Sequence, residues 1–430
     1  MVKLVFKWPV AEFLNRVLRS EMIYFMLCKL SSSAMSQGIV LLFVLYLDSA
    51  EFGSLGILLS LSQLFIAFLV AWHSGTILNH GQKYFARSKS LYTVIFFRLC
   101  CIMLATVCIT ISLLLGVEEW INNFTGLKNG SYVVFLWVVA ESVFELTDKI
   151  LVVYGKLVIN EIMVLIVKSI CFFYMVFSFQ SIESYFEVYL VLHLIFSVFV
   201  VLALVFLDKP KLIEVDLNKW PELFRFSIFA AITSFSVVMA NQGYNFVLRH
   251  ESVDLADIGA HGLAYKAFMS LSILTYFVRV LYPKILYSQS RKQKLSFVRR
   301  AYQIYLPYFI LLSLIGYVVI CLLVNILIIY SFGSGYENTL FFMVLYLPAF
   351  LIFQRAQFLG VMLNNSRHYK KENLAYVVMS LFLVSANILL ARFLGVYGVI
   401  LGTTLAFLLF NLLLKRFLSV RYYLSIRDWG

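Results

Sequence analysis

Four ionisable residues stand where ionisable residues are expensive. Glu141, Glu145, Asp148 and Lys149 fall inside an otherwise apolar stretch, residues 131–154. Separations of four, seven and eight residues put them on one face of a helix, at about 100° per residue. A carboxylate in hydrocarbon must be neutralised, by a cation or by binding a proton or Na⁺. Glu145 and Lys149 have the i,i+4 spacing of an ion pair. Lys168, on the next apolar stretch, comes level with Glu145 and Glu141 if the two stretches form a hairpin turning near Lys156. That group counts three acids against two bases, which leaves one carboxylate over. Two readings stand. One is a self-neutralising network. In the other, Glu141, Glu145 or Asp148 binds a coupling ion, and Glu145 is favoured for its depth.

Eight basic residues lie within apolar stretches, with Arg392, Lys415 and Arg416 set aside as lying in the last turn of theirs: Lys29, Arg98, Lys149, Lys168, Arg225, Lys266, Arg279 and Arg355. Each costs at least about 2.5–3.5 kcal/mol to insert, so each needs a reason. Arg225 is a flank, within one turn of its segment's edge. Lys29, Arg98 and Arg279 fall within about two turns of an end, where long side chains reach back to headgroups. The alternative is a cationic entrance for a phosphate-bearing cargo, since the guanidinium fork meets phosphate oxygens in pairs. Lys168 and Lys266 are deeper, and Arg355 lies two turns into its segment. For these the choice is between a carboxylate partner and a water-filled cavity that attracts an anion.

The elements that position these residues follow from composition. Hydrophobic residues make up 62% of the chain and charged residues 13%, against about 45–50% and 25% in soluble domains. The chain is therefore an integral membrane protein. A spanning helix needs about 20 mostly apolar residues. Twelve stretches qualify: 22–47, 55–78, 92–115, 131–154, 157–179, 185–207, 222–248, 258–283, 302–330, 338–363, 373–394 and 398–418. The fold class is all-α and polytopic. With both termini cytoplasmic, 24 basic residues fall in cytoplasmic segments and only Lys128, Arg249 and Arg392 outside. The net charge of +13 is thus a matter of topology and lipid headgroups, not of nucleic acid. The six cysteines lie in apolar stretches and read as small fillers. The histidines have no metal spacing, so no metal, cofactor or catalytic residue is expected. There is no P-loop, which excludes ATP hydrolysis by this chain itself.

The polar connection 208–221, with Pro210 and Pro221, divides the segments six and six. This predicts an N-terminal lobe, 1–207, a cytoplasmic linker, and a C-terminal lobe, 222–430. A short pattern recurs across that divide. Glu51-Phe52-Gly53-Ser54-Leu55-Gly56 and Asp257-Ile258-Gly259-Ala260-His261-Gly262 both read acid, apolar, Gly, small, any, Gly. They lie 206 residues apart, and each is followed by an apolar run and then a basic segment. That agreement points to an internal duplication, a common plan in transporters. Gly398 and Gly402 form a small-xxx-small pair suited to close helix packing.

The motifs resemble those of polysaccharide and lipid-linked oligosaccharide flippases of the multidrug/oligosaccharidyl-lipid/polysaccharide exporter superfamily. Phe224 to Pro283 is similar to the start of their C-terminal lobe, through Asp257-Ile258-Gly259, Tyr265-Lys266 and Pro283. Phe332-Gly333-Ser334-Gly335-Tyr336 and Leu394-Gly395-Val396-Tyr397-Gly398-Val399-Ile400-Leu401-Gly402 continue the likeness, and Glu51 to Gly56 adds the first half. The resemblance implies two six-helix bundles around a central cavity, alternating access and no covalent chemistry. It implies an undecaprenyl-diphosphate-linked oligosaccharide, such as an O-antigen unit, as cargo in a bacterial cytoplasmic membrane. Lys29, Arg98, Lys168, Lys266, Arg279 and Arg355 are then candidates for binding the diphosphate. Membrane lipids, a polysaccharide polymerase and a chain-length regulator are candidate partners. Members often carry an ionisable residue early in the seventh helix; here Met239-Ala240-Asn241-Gln242-Gly243-Tyr244 has none. Two other functions remain open. One is a cation-coupled multidrug exporter of the same superfamily, against which the excess of intramembrane bases counts. The other is a glycan polymerase or ligase, which would need a larger external loop.

Overall fold

A computed structural model describes residues 21–71, 73, 77–81, 92–208, 216–271, 301–330, 335–364 and 369–422. Among them there are helices and no strand. In order they are α1 (Glu21–Tyr46), α2 (Ser49–Ile66), α3 (Tyr92–Ser112), the short α4 (Glu118–Thr125), α5 (Gly130–Val153), α6 (Leu157–Ser178) and α7 (Ile182–Asp208). Then come α8 (Trp220–His250), α9 (Leu255–Ser270), α10 (Leu306–Tyr330), α11 (Asn338–Asn364), α12 (Tyr369–Leu394) and α13 (Val396–Tyr422).

Among the described residues, ten helices are long and apolar enough to cross a membrane. Their surfaces agree: Val191, Leu194, Ile195, Val198 and Leu202 line one exposed face of α7, which only lipid can satisfy. The other two expected spans are also helical where described. α5 falls short on composition because of its four charges, and α9 is described as a helix only to Ser270. The chain is thus an all-helical, multi-pass membrane protein.

The second and eighth spans begin earlier than hydropathy predicted, at Ser49 and Leu255 rather than 55 and 258. Polar caps are the reason. The Asp48 carboxylate accepts from the Glu51 N–H at 2.7 Å, and Glu51 accepts from the Asp48 N–H at 3.4 Å. Asp254 accepts from the Ala256 N–H at 3.4 Å. Asp48 and Asp254 are themselves 206 residues apart, so the repeat extends to the caps.

The structure divides into two compact units that interleave the sequence: Met1–Leu42, His73–Thr106 and Phe135–Ser227, and Phe43–Trp72, Val107–Val134 and Ile228–Gly430. In the second unit α2 and α9 cross at their glycines. A Cβ on Gly53 would lie 2.1 Å from the Leu255 carbonyl oxygen, and one on Gly259 would lie 1.9 Å from that of Ser49. Neither position admits a side chain, so the repeated glycines serve close approach within helices, not the turns into them. Around the crossing, the Tyr336 hydroxyl donates to the carbonyls of Leu47 at 3.3 Å and Asp48 at 3.2 Å. Gly335, at φ +114, packs against Ser49 where a side chain would clash. Burial, with Asp48 and Glu51 nearby, pushes the Tyr336 phenol above its ordinary range, so it stays a donor at neutral pH. Arg249 caps α4, donating from Nε to the Phe124 carbonyl at 2.9 Å and from Nη2 to that of Asn123 at 3.0 Å. The other glycine pair is also a contact: Gly398 abuts the Leu390 carbonyl and Gly402 the Asn387 side chain, holding α13 on α12.

Candidate functional site

The acidic face of α5 does lie among charges, but the partners of Glu141 and Glu145 come from farther along the chain than the sequence suggested. Within the first unit, Arg98 of α3 donates from Nη2 to Glu145 Oε2 at 3.4 Å. Lys149 Nζ lies 2.5 Å from the carboxylate of its own neighbour, Asp148. The other oxygen of Asp148 accepts from Asn160 Nδ2 of α6 at 2.5 Å. Lys29 of α1 pairs with Glu161 of α6 at 2.9 Å. Lys168 makes no ion-pair contact among the described residues; its Nζ is 3.5 Å from the Ser32 hydroxyl, with Glu161 and Glu141 close enough to act on it electrostatically. Glu141 accepts from the Tyr189 hydroxyl of α7 at 2.8 Å.

Two expectations are therefore corrected. Glu145 does not pair with Lys149, because Lys149 turns to Asp148 and Arg98 takes Glu145. Lys168 does not join Glu145 either, but reaches α1 instead. The charge count changes too. Lys29, Arg98 and Glu161 enter the cluster, giving four bases, Lys29, Arg98, Lys149 and Lys168, and four acids, Glu141, Glu145, Asp148 and Glu161. Three ion pairs form, and the two charges left outside them are Glu141 and Lys168. Among the described residues, the cluster carboxylate with no ion-pair contact is Glu141, not Glu145, and Lys168 acts on it only from beyond contact distance.

Tyr189 is held firmly for its role. Trp137 stacks on its ring at 5.1 Å between centroids, and His193 meets it edge-on at 4.3 Å. His193 is 3% exposed and neither of its ring nitrogens has a protein partner. Arg98 is wholly buried, with Nε and Nη1 unpartnered. It is therefore not reaching to headgroups in this conformation. Asn160 Oδ1 and Glu161 Oε2 are likewise buried and unpartnered. Among the described residues, no group of three potential ligands could hold a metal ion.

Two of the remaining predicted cations lie in the second unit. Arg355 of α11 donates from Nη2 to the Tyr302 hydroxyl, and its Nε is buried without a partner. Lys266 of α9 places its ammonium 4.8 Å from the centre of the Phe52 ring of α2. No carboxylate among the described residues pairs with it. Arg279 lies outside the described residues.

Several participants escaped the sequence reading. Glu161 stands in an apolar segment, and counting acids as closely as bases exposes it. Tyr189, Ser32 and Asn160 carry no such signal, since hydroxyls and amides are common in helices. The uncharged stretch 239–244, which lies near the end of α8, and Asn245 beside it also have a use. Asn245 donates to the Ser60 hydroxyl at 2.7 Å and to the Gly56 carbonyl at 3.2 Å, and Ser60 donates to Gln242 at 3.0 Å. A neutral relay there joins α8 to α2.

No family model matches the sequence, and no curated protein matches it. Solved structures do. An inward-facing multidrug resistance MATE family transporter of the MOP superfamily covers 91% of this chain and 94% of its own, with a TM-score of 0.68 at 13% identity. An outward-facing structure of a transporter of the same description covers 95% and 99%, with a TM-score of 0.65 at 12% identity. A MOP superfamily transporter from Pyrococcus furiosus, described as having a binding pocket of reverse polarity that suggests a different function, covers 93% and 94%, with a TM-score of 0.54 at 11% identity. At these identities the likeness establishes the fold: this chain has the fold of the MATE transporters.

Proposed function

We propose that this chain is an alternating-access transporter of a bacterial cytoplasmic membrane. It is built as two six-helix lobes, 1–207 and 222–430, with the linker 208–221 and both termini on the cytoplasmic side. Its cargo is a lipid-linked oligosaccharide with a diphosphate headgroup, undecaprenyl-diphosphate in type. The observation that carries the anionic cargo is Lys266, a deep membrane cation with an aromatic ring and, among the described residues, no carboxylate beside it. A cation kept unpaired at such cost is suited to an anion that comes and goes. The cationic candidates Lys29, Arg98 and Lys168 are weaker support, because they sit in a cluster whose charges balance. Glu141 is the proposed coupling carboxylate, in place of Glu145.

A second reading has its own observation. The solved neighbours include multidrug resistance transporters, and that likeness favours a cation-coupled drug exporter at least as strongly. The excess of intramembrane bases that counted against it is also smaller, since the four bases of the charge cluster are matched by four acids. Deleting the gene distinguishes the two. Undecaprenyl-linked glycan accumulating on the cytoplasmic side supports the flippase. An unchanged glycan with new sensitivity to cationic drugs supports the exporter, and external unpolymerised units would indicate a polymerase.

A further inference from the structure

The crossing of α2 and α9 is symmetric in its glycines and asymmetric in one side-chain contact. Gly53 and Gly259 correspond through the repeat, and each abuts the carbonyl four residues before the other. The same offset relates Ser60 to Lys266 and Phe52 to Ile258. Lys266 lies against Phe52. The mirror contact would join Ser60 to Ile258, which can make no equivalent interaction. Ser60 is instead satisfied by the Gly56 carbonyl at 2.8 Å and by Gln242 and Asn245. A hydroxyl therefore fills this position of the repeat without strain, and packing does not demand a lysine in the second copy.

What the lysine adds is a cation placed on the residue next to Gly53. Phe52 is 2% exposed and its ring also meets Tyr336 edge-on at 6.1 Å. Tyr336 in turn holds the start of α2 through the Leu47 and Asp48 carbonyls. One side chain thus links a positive charge, without a carboxylate partner among the described residues, to the clasp at the crossing.

We infer that Lys266 couples the binding of an anionic headgroup to the separation of α2 and α9. An anion that draws the ammonium away removes its attraction to the Phe52 ring, so the anion binds better to the parted helices than to the crossed ones. By linkage, weakening the Lys266–Phe52 contact must strengthen the binding of the anion. This inference rests on the anionic cargo proposed above.

The test uses the full chain in lipid nanodiscs, with farnesyl diphosphate as the probe and farnesol and tetraphenylphosphonium as neutral and cationic controls. Affinity is measured by titration, and opening by deuterium uptake of residues 49–56 and 255–262. The diphosphate should raise uptake in both segments, and farnesol should not. Phe52→Met, which keeps much of the volume and removes the ring face, should bind the diphosphate roughly 2- to 30-fold more tightly, the span set by a cation–π contact. It should also show raised uptake before ligand is added. Lys266→Met should lose both binding and response, and Lys266→Arg should keep them in part. If Phe52→Met does not accumulate, Phe52→Leu serves the same measurement. Unchanged affinity in the Phe52 variant, alongside lost affinity in Lys266→Met, overturns the coupling and spares the anionic cargo. Binding of tetraphenylphosphonium with no binding of diphosphate overturns the cargo and the coupling together.

Discussion

The backbone nitrogens of Gly53 and Gly259 each lie 3.0 Å from where a Cβ on the other would stand. Two helices from opposite halves of the chain are therefore in backbone contact at corresponding residues. Alanine is enough to disturb this. Gly53→Ala and Gly259→Ala should each cost roughly 1–3 kcal/mol, as overpacking does, and lower the yield of monodisperse protein. Gly262→Ala is the control: its Cβ would meet nothing within 4 Å, so it should be neutral or slightly stabilising. Size-exclusion profiles and thermal unfolding of the three variants check this. Equal behaviour of all three would remove the crossing from the account.

The Arg98–Glu145 pair should behave as structure. Glu145→Gln leaves the guanidinium of Arg98 without its one described partner, in a residue with no exposure. The loss should reach up to about 3–5 kcal/mol, the cost of stranding a buried charge. Adding Arg98→Met should largely restore the protein level, whereas adding Lys168→Met should not. Recovery with the lysine change alone would reverse this assignment.

Glu141 should behave as function. Glutamine at 141 can still accept from the Tyr189 hydroxyl, so Glu141→Gln should accumulate normally. It should nevertheless lose the dependence of transport on the proton or Na⁺ gradient. Gradient-driven transport at the normal rate in this variant would rule Glu141 out as the coupling group.

Much of the fold was legible in the sequence, because hydrophobic length marks a span whatever it packs against. The helix starts were not, since Asp48 and Asp254 act through capping, which hydropathy ignores. The charge cluster was half legible. Spacing within α5 gathered Glu141, Glu145 and Asp148 correctly. Helical spacing then offered Lys149 as a partner and the turn near Lys156 offered Lys168, because those two rules reach only the same helix and the one after it. Arg98 arrives from α3, the span before α5, across the connection that carries α4. Lys29 arrives from α1, four spans before Glu161. Such pairings depend on how helices are arranged, and that is a property of the whole bundle.

Tyr336 offers a test by pH. Its phenol is raised by burial and by Asp48 and Glu51 nearby, so the native state holds the proton more tightly than the unfolded state. Its contribution should be complete below about pH 10, the ordinary tyrosine value, and should shrink as pH rises beyond it. Tyr336→Phe removes the hydrogen bonds to the Leu47 and Asp48 carbonyls and should cost about 1 kcal/mol at pH 7. Thermal unfolding of both proteins between pH 7 and pH 11, kept within the reversible range, should show the difference narrowing at the alkaline end. A constant difference would show that the hydroxyl does not serve as a buried donor.

The anionic cargo is tested most directly by reconstitution. The native chain, Lys266→Ala and Lys266→Arg are placed in liposomes holding a fluorescent short-chain polyprenyl-diphosphate oligosaccharide, and its passage between leaflets is measured. The native chain should translocate the lipid, the Ala variant should insert normally and translocate none, and the Arg variant should keep part of the rate. Equal translocation by native and Ala proteins, or transport of a lipophilic cation with no movement of the lipid, would contradict the account.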